Sequence, residues 1–252
     1  MNKNLVMKNA KTSQSYWNLK WMSTFGQKTP SILIVNNLNI MRLIKTKVKP
    51  RSRYIEIGCA PGNMLAWVSK TFKTNSTGLD YSEVGVTKCK CLFEILSLEI
   101  DLHCVDFFEH NLPLESFDLV TSFGLIEHFD DPSLVVKNHV ALLKSGGTTL
   151  ISIPNYGGIY GHIQKWCDPN NLETHNLKIM NVKSLKHLAN DLNVQSVKVY
   201  YFGKIDPLIL SLEKKIPIPV VKIINIILNG VGLLQPIIIN IFAPMLVLEI
   251  KK

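Results

Sequence analysis

Glu56-Ile57-Gly58-Cys59-Ala60-Pro61-Gly62-Asn63 is the stretch on which the reading of this chain turns. It follows a short β-rich run at 54–57 and leads straight into a helical pattern at 63–72. A backbone leaving a parallel strand can press against a ligand only where its side chains are small. Gly58, Ala60 and Gly62 supply three such positions at alternate residues. The G-x-A-x-G spacing is not the G-x-G-x-x-G of a dinucleotide loop, and a carboxylate, Glu56, stands two residues before the first glycine.

Outward from this turn the pattern alternates. Strands are expected at 76–80, 102–105, 117–123 and 148–153, with helices at 82–98 (Ser82 as its cap) and 131–143 (Pro132 in its first turn). Lys144-Ser145-Gly146-Gly147 reads as a turn, 154–180 as a long loop, 182–192 as a helix, and 194–202 and 245–250 as strands. Upstream, Pro30 opens a helix to about residue 47, with Ile32, Val35, Leu38, Met41, Ile44 and Val48 along one stripe. Repeated βα units of this length imply an α/β, doubly wound, mostly parallel seven-stranded sheet of the Rossmann-like kind. The expected organisation is an arm and helix at 1–49, a core at 50–203, an apolar helical insertion at 204–243 and a final strand at 244–252.

The 252 residues and 46% hydrophobic content exclude a stapled miniprotein and a disordered chain. The net charge of +9 is uneven: residues 1–53 hold eleven basic side chains and no acidic one, whereas the remainder is slightly acidic. A basic arm of this kind suits phosphates, of nucleic acid or of a membrane surface. Five cysteines without paired zinc spacing, and no apolar run before Trp17, imply a reduced, cytoplasmic compartment.

The glycine turn resembles the first motif of the class I S-adenosylmethionine (SAM)-dependent methyltransferases, with Ala60 in place of the family's middle glycine. The resemblance extends in order along the chain. Gly78-Leu79-Asp80-Tyr81-Ser82 looks like the ribose-binding segment, Asp106-Phe107 like the adenine-side acid, and Phe117-Asp118-Leu119-Val120 through Leu125-Ile126-Glu127-His128-Phe129 like the fourth-strand motif of the small-molecule branch. It implies SAM as cofactor, with Glu56, Gly58, Cys59, Ala60, Gly62, Asp80, Tyr81, Asp106, Phe107 and Phe123 around it. Metal-dependent catechol-type enzymes need a carboxylate cluster around a divalent ion, which this sequence does not assemble, so no metal is expected.

Methyl transfer to oxygen or nitrogen also asks for a base. His128 lies just past the fourth strand's carboxyl end, beside Glu127, where α/β sheets place ligands. His175, in the stretch 175–180, is the second candidate, and Glu127 could orient an imidazole. The Asn/Asp-Pro-Pro-aromatic segment of exocyclic-amine nucleic-acid methyltransferases is missing at Thr121-Ser122-Phe123-Gly124, as is the Pro-Cys nucleophile of cytosine-C5 enzymes. A small-molecule acceptor, or the small head of a larger carrier, is therefore expected. The resemblance to sugar- and glycolipid-modifying relatives that carry an insertion at the place of 205–243 implies a glycan or lipid-linked one.

Residues 223–248 carry no charge, yet Pro236, Pro244, Gly230, Gly232 and four amides argue against a bilayer span. The insertion reads instead as a lid or as a peripheral membrane contact through 205–243, helped by Lys204, Lys214, Lys215 and Lys222. Two other readings compete. One is a nucleic-acid-binding or RNA-modifying protein that stacks bases on Tyr16, Trp17 and Trp21. The other is a membrane-bound assembly factor that keeps SAM without catalysis.

Overall fold

The computed structural model describes residues 10–24 and 28–252, so Lys3 and Lys8 of the basic arm lie outside the described residues. Seven strands form one sheet: β1 (Arg53–Ile57), β2 (Asn75–Asp80), β3 (Asp101–Cys104), β4 (Phe117–Phe123), β5 (Leu143–Pro154), β6 (Ser196–Phe202) and β7 (Met245–Lys251). Their order is β3-β2-β1-β4-β5-β7-β6. The sheet is mixed rather than wholly parallel, because β7 runs antiparallel to both β5 and β6. The order reverses between β1 and β4. That is the switch point at which an α/β sheet leaves a crevice at its carboxyl edge.

Helices cover both faces of the sheet. In chain order they are α1 (Gln14–Met22), α2 (Val35–Lys45), α3 (Asn63–Phe72), α4 (Glu83–Ile95), α5 (Ser133–Leu142), α6 (Ile159–Cys167), α7 (Pro169–Glu173), α8 (Val182–His187) and α9 (Ile218–Leu234). Ser82 caps α4 as its position suggests, its hydroxyl accepting from the Gly85 N–H at 3.0 Å. The alternate residues of β1 and β4 serve two cores. Ile55, Ile57 and Val120 pack with α5 and the strands beyond it, while Tyr54 and Leu119 pack with α2, α3 and α4.

Several expectations are corrected. The helix read from Pro30 begins at Val35, and Ile32, counted in its buried stripe, is exposed in the preceding turn. The turn at 144–147 is strand: β5 starts at Leu143 and absorbs the glycines as an irregularity, pairing Phe117 with Leu143 and then Leu119 with Thr148. The long loop of 154–180 contains α6, α7 and a 3-10 turn at Leu177–Ile179. Its polar residues misled because they cap: the Asp168 carboxylate accepts from the Asn171 N–H, and Asn176 caps the 3-10 turn. The helix read over 182–192 is α8 alone.

Candidate active site

Gly58 leaves β1 at φ +71° and Gly62 opens α3 at φ +90°. At Gly62 a Cβ would lie 3.0 Å from both Cys89 Sγ and the Phe93 ring, so neither backbone nor space admits a side chain there. The loop is held against β2, with the Gly58 and Cys59 N–H groups both donating to the Leu79 carbonyl. Asp80 ends that strand. Its buried carboxylate accepts from the Ala60 N–H at 3.1 Å and the Ser82 N–H at 2.9 Å. Burial pushes Asp80 up, and those two backbone donors pull it back. Each oxygen keeps a lone pair for a further donor.

Beyond the loop opens a cavity of about 1760 Å³, larger than the few hundred to 1,000 Å³ of a typical single-ligand pocket. Gly58, Ala60, Asp80, Tyr81, Asp106, Phe107 and Phe123 all line it. Three residues expected around the cofactor do not. Glu56 is buried behind the strand, accepting from the Tyr54 hydroxyl at 3.1 Å, and burial pushes its carboxyl up to about 8. Cys59 and Gly62 turn into the packing beneath the loop. The lining set suits SAM in its chemistry: a bare glycine backbone for close approach, a buried carboxylate at the end of β2 for paired hydroxyls, and a second acid, Asp106, flanked by the Phe107 ring.

Glu127, His128 and His175 meet on the other side of the same cavity. Glu127 and His128 ride on a 3-10 turn (Ile126–His128) directly after β4, and both are buried. His175 follows α7, and the two imidazole centroids are 4.7 Å apart. Asn176 ties the two segments, donating its N–H to the Glu127 carbonyl at 2.6 Å and its side-chain amide to Phe129 and Asp130. His128 Nδ1 faces the Thr174 carbonyl at 2.8 Å, and His175 Nδ1 faces the Asn171 carbonyl at 2.7 Å. A carbonyl only accepts, so Nδ1 carries the proton in both rings and each Nε2 keeps its lone pair. Burial pushes His128 down to about 3 and lowers His175, so both are neutral at physiological pH. Burial also pushes Glu127 up to about 8, and its Oε2 has no hydrogen-bond partner.

The ligand atoms of these three side chains all lie within 4.8 Å of one another, close enough to hold a divalent ion. The set is two imidazoles and one acid, not the carboxylate cluster whose absence from the sequence gave the expectation of no metal.

Other lining residues escaped the sequence reading. Trp17 and Lys20 of α1, Tyr156, and Asn225 of α9 all reach the cavity. Trp17 and Trp21, the aromatic pair that only the competing nucleic-acid reading uses, are half-buried against one another, ring centroids 5.8 Å apart, and both line the cavity. Asn225 sits in an apolar run, where no motif marks it; its Oδ1 is buried and unpartnered.

A family model described as "Methyltransferase domain" matches residues 36–199, from α2 to β6. The chain belongs to this family, within the class I SAM-dependent methyltransferases. The match takes in every residue named around the glycine loop and the Glu127–His128–His175 cluster, and leaves α1 and α9 outside it. Among curated proteins, a ubiquinone biosynthesis O-methyltransferase of Coxiella burnetii is 29% identical over 136 residues, covering 54% of this chain and 57% of that protein. The Xanthomonas campestris protein of the same name is 27% identical over 141 residues, covering 54% and 56%. The methyltransferase thus spans little more than half the length of the curated relatives it matches. Among solved structures, a SAM-dependent methyltransferase from Archaeoglobus fulgidus superposes over 100% of both chains, with TM-score 0.58 and 20% identity. Phosphoethanolamine N-methyltransferase 2 of Haemonchus contortus, in complex with SAM, covers 95% of this chain and 57% of that one, with TM-score 0.60 and 17% identity. At such identities these two show the shared fold.

Proposed function

We propose that this methyltransferase transfers a methyl group from SAM to a hydroxyl oxygen of a small, partly apolar acceptor, with His128 as the base. The observation that carries the reading is the free Nε2 of a buried, neutral His128 at the cavity, beside the unpartnered Oε2 of Glu127. When bound, the cofactor supplies an electrophilic methyl on a sulfonium. The chain's part is to align the acceptor, exclude water and take up one proton. The acceptor hydroxyl's proton goes to His128 Nε2 as its oxygen gains the methyl, and the Thr174 carbonyl stabilises the imidazolium through Nδ1–H. Glu127, protonated at neutral pH, offers its carboxyl to a second polar group on the acceptor. His175 packs beside the His128 ring on the same cavity wall.

The oxygen acceptor is favoured by the two O-methyltransferase relatives. An apolar body on the acceptor, as in a lipid-linked or glycolipid substrate, is favoured by the wall that Leu208, Ile209 and Leu210 contribute to the cavity. A second reading rests on the same cluster, with Glu127, His128 and His175 holding a divalent ion that polarises the acceptor oxygen. The test is transfer of tritiated methyl from SAM to hydroxylated aromatic and lipid-extract acceptors, with the labelled product identified. His128→Gln should lose at least a hundredfold in kcat while calorimetry still shows SAM binding. Unchanged turnover in His128→Gln would sink the base assignment, a loss confined to His175→Gln would move the role to His175, and absence of SAM binding by the native chain would sink the whole reading. RNA binding of steep salt dependence without methyl transfer would favour the nucleic-acid alternative instead.

A further inference from the structure

The outer face of α9 is apolar and uncovered. Ile223, Ile227, Val231 and Leu234 recur at spacings of four, four and three, which places them on one side of the helix, and they are 58%, 59%, 46% and 85% exposed. The opposite side is the one that meets the protein. Val221 and Gly232 are buried there, and Asn229 accepts from the Val35 N–H and donates to the Leu33 carbonyl, both at 2.8 Å. That clamp sets the exposed Ile32–Leu33–Ile34 turn beside the helix, and the exposed residues 237–239 follow its end. Among the described residues, 13 of the 23 large apolar side chains that are exposed fall between Leu208 and Phe242. A concentration of this kind marks a surface that meets a partner.

Charge identifies the partner. Lys214, Lys215 and Lys222 are exposed at the start of the strip, and no Asp or Glu occurs from residue 214 through 248. A two-fold contact between copies would bring two strips of like charge together, with no carboxylate within 214–248 to meet the lysines. An anionic lipid surface offers both an apolar layer and the opposing charge. At 17 residues α9 is shorter than a bilayer span, and no helix among the described residues is long and apolar enough to cross a membrane. Its inner side is also fastened to the protein through Asn229. We propose that α9, its following loop and the Ile32–Ile34 turn form a docking face for an anionic bilayer surface, with α9 lying in the plane of the interface. The inference is independent of the methyl-transfer reading, since it rests on exposure and charge alone.

Flotation of the full chain with vesicles tests it, using phosphatidylcholine alone and an equimolar mixture with phosphatidylglycerol. The native chain should float with the mixed vesicles, bind the neutral ones at least tenfold less, and lose binding as salt is raised. Ile223→Gln/Ile227→Gln/Leu234→Gln changes only exposed positions and should lower partitioning at least tenfold, with an unchanged circular dichroism spectrum. Should that variant fail to fold, Lys214→Gln/Lys215→Gln/Lys222→Gln gives the second arm, expected to abolish the preference for the mixed vesicles. A native chain that stays unbound with both vesicle types overturns the proposal. So does an apolar variant that binds as the native chain does, or sedimentation showing a dimer, without lipid, that the apolar variant dissolves.

Discussion

The Trp17 ring stands edge-on to the His128 ring, centroids 5.1 Å apart at 84°. This contact joins α1, which lies outside the family match, to the turn that carries the proposed base. It is reinforced by the Lys11 N–H donating to the His128 carbonyl at 2.7 Å and by an ion pair from Lys11 to Asp130 at 3.2 Å. Residues 10–24 are therefore strapped across the cavity mouth, and the charge of Lys11 is already matched within the protein. Trp17→Ala should open that roof. An aromatic pair of this type contributes about 1 kcal/mol beyond its buried area. Steady-state kinetics should accordingly show roughly a tenfold fall in kcat/KM for the acceptor, with SAM affinity changed far less. Equal loss for both ligands would mean that α1 serves general stability instead.

Asp80 makes the sharper test of cofactor binding. Asp80→Asn keeps the shape but removes the charge and turns one acceptor oxygen into a donor facing the Ala60 or Ser82 N–H. Hydrogen bonds to a charged group are worth about 1.5–3 kcal/mol, so SAM affinity by calorimetry should fall by roughly ten- to a hundredfold. Glu56→Gln, behind the strand and away from the cavity, should change SAM affinity less than threefold.

What could be read from the sequence, and what could not, follows the range of the interactions. The glycine turn, Asp80 and the Ser82 cap were legible because each depends on neighbours within a few residues. The same local signals gave α3 its bounds to the residue. Placement of Trp17, Lys20 and Asn225 around one cavity depends on contacts between segments up to two hundred positions apart, for which no periodicity exists. Asn229 illustrates this: it clamps residues 33 and 35 beside the turn in which Ile32 is exposed, although the helical stripe places Ile32 inside. His128 and His175 are alternative candidates in the sequence, and only the fold shows that they share a cluster.

Gly62 tests the loop itself. Gly62→Ala forces a Cβ at φ +90° and to within 3.0 Å of Cys89 Sγ and the Phe93 ring. Strain plus overpacking should cost about 2–4 kcal/mol in denaturant unfolding. Gly146→Ala shares the positive φ, at +74°, but nothing lies within 4 Å of the added Cβ, so about 1 kcal/mol is expected there. Equal losses would mean that the close packing around Gly62 carries no energetic weight.

Chelation separates the two readings of the acceptor site. With His128 as base, methyl transfer should persist after treatment with EDTA and gel filtration, and zinc should inhibit by taking the Nε2 lone pairs. Loss of turnover on chelation, restored by a divalent ion and absent in Glu127→Gln, would replace the base reading with the metal one.

The cluster also sets a pH profile of stability. His128 titrates near 6.5 in an unfolded chain but is pushed down to about 3 in the fold, mainly by burial. Between those values the unfolded state holds a proton that the folded state does not, so its contribution is lost as pH falls from 6.5 towards 3. Glu127 is displaced the other way, from about 4.5 in an unfolded chain up to about 8, by burial. Its contribution is therefore present below pH 4.5 and lost as pH rises towards 8. Over the shared interval the two slopes oppose, leaving a plateau between about pH 4.5 and 6.5 with a fall on either side. Each group contributes a slope of about 1.4 kcal/mol per pH unit where it acts alone. His139, pushed down to about 4, and Glu56, pushed up to about 8, steepen the acid and alkaline arms respectively. Urea midpoints measured across pH should show His128→Gln flattening the acid arm and Glu127→Gln the alkaline one. An alkaline arm that stays as steep in Glu127→Gln would mean that the Glu127 carboxylate is already ionised in the fold.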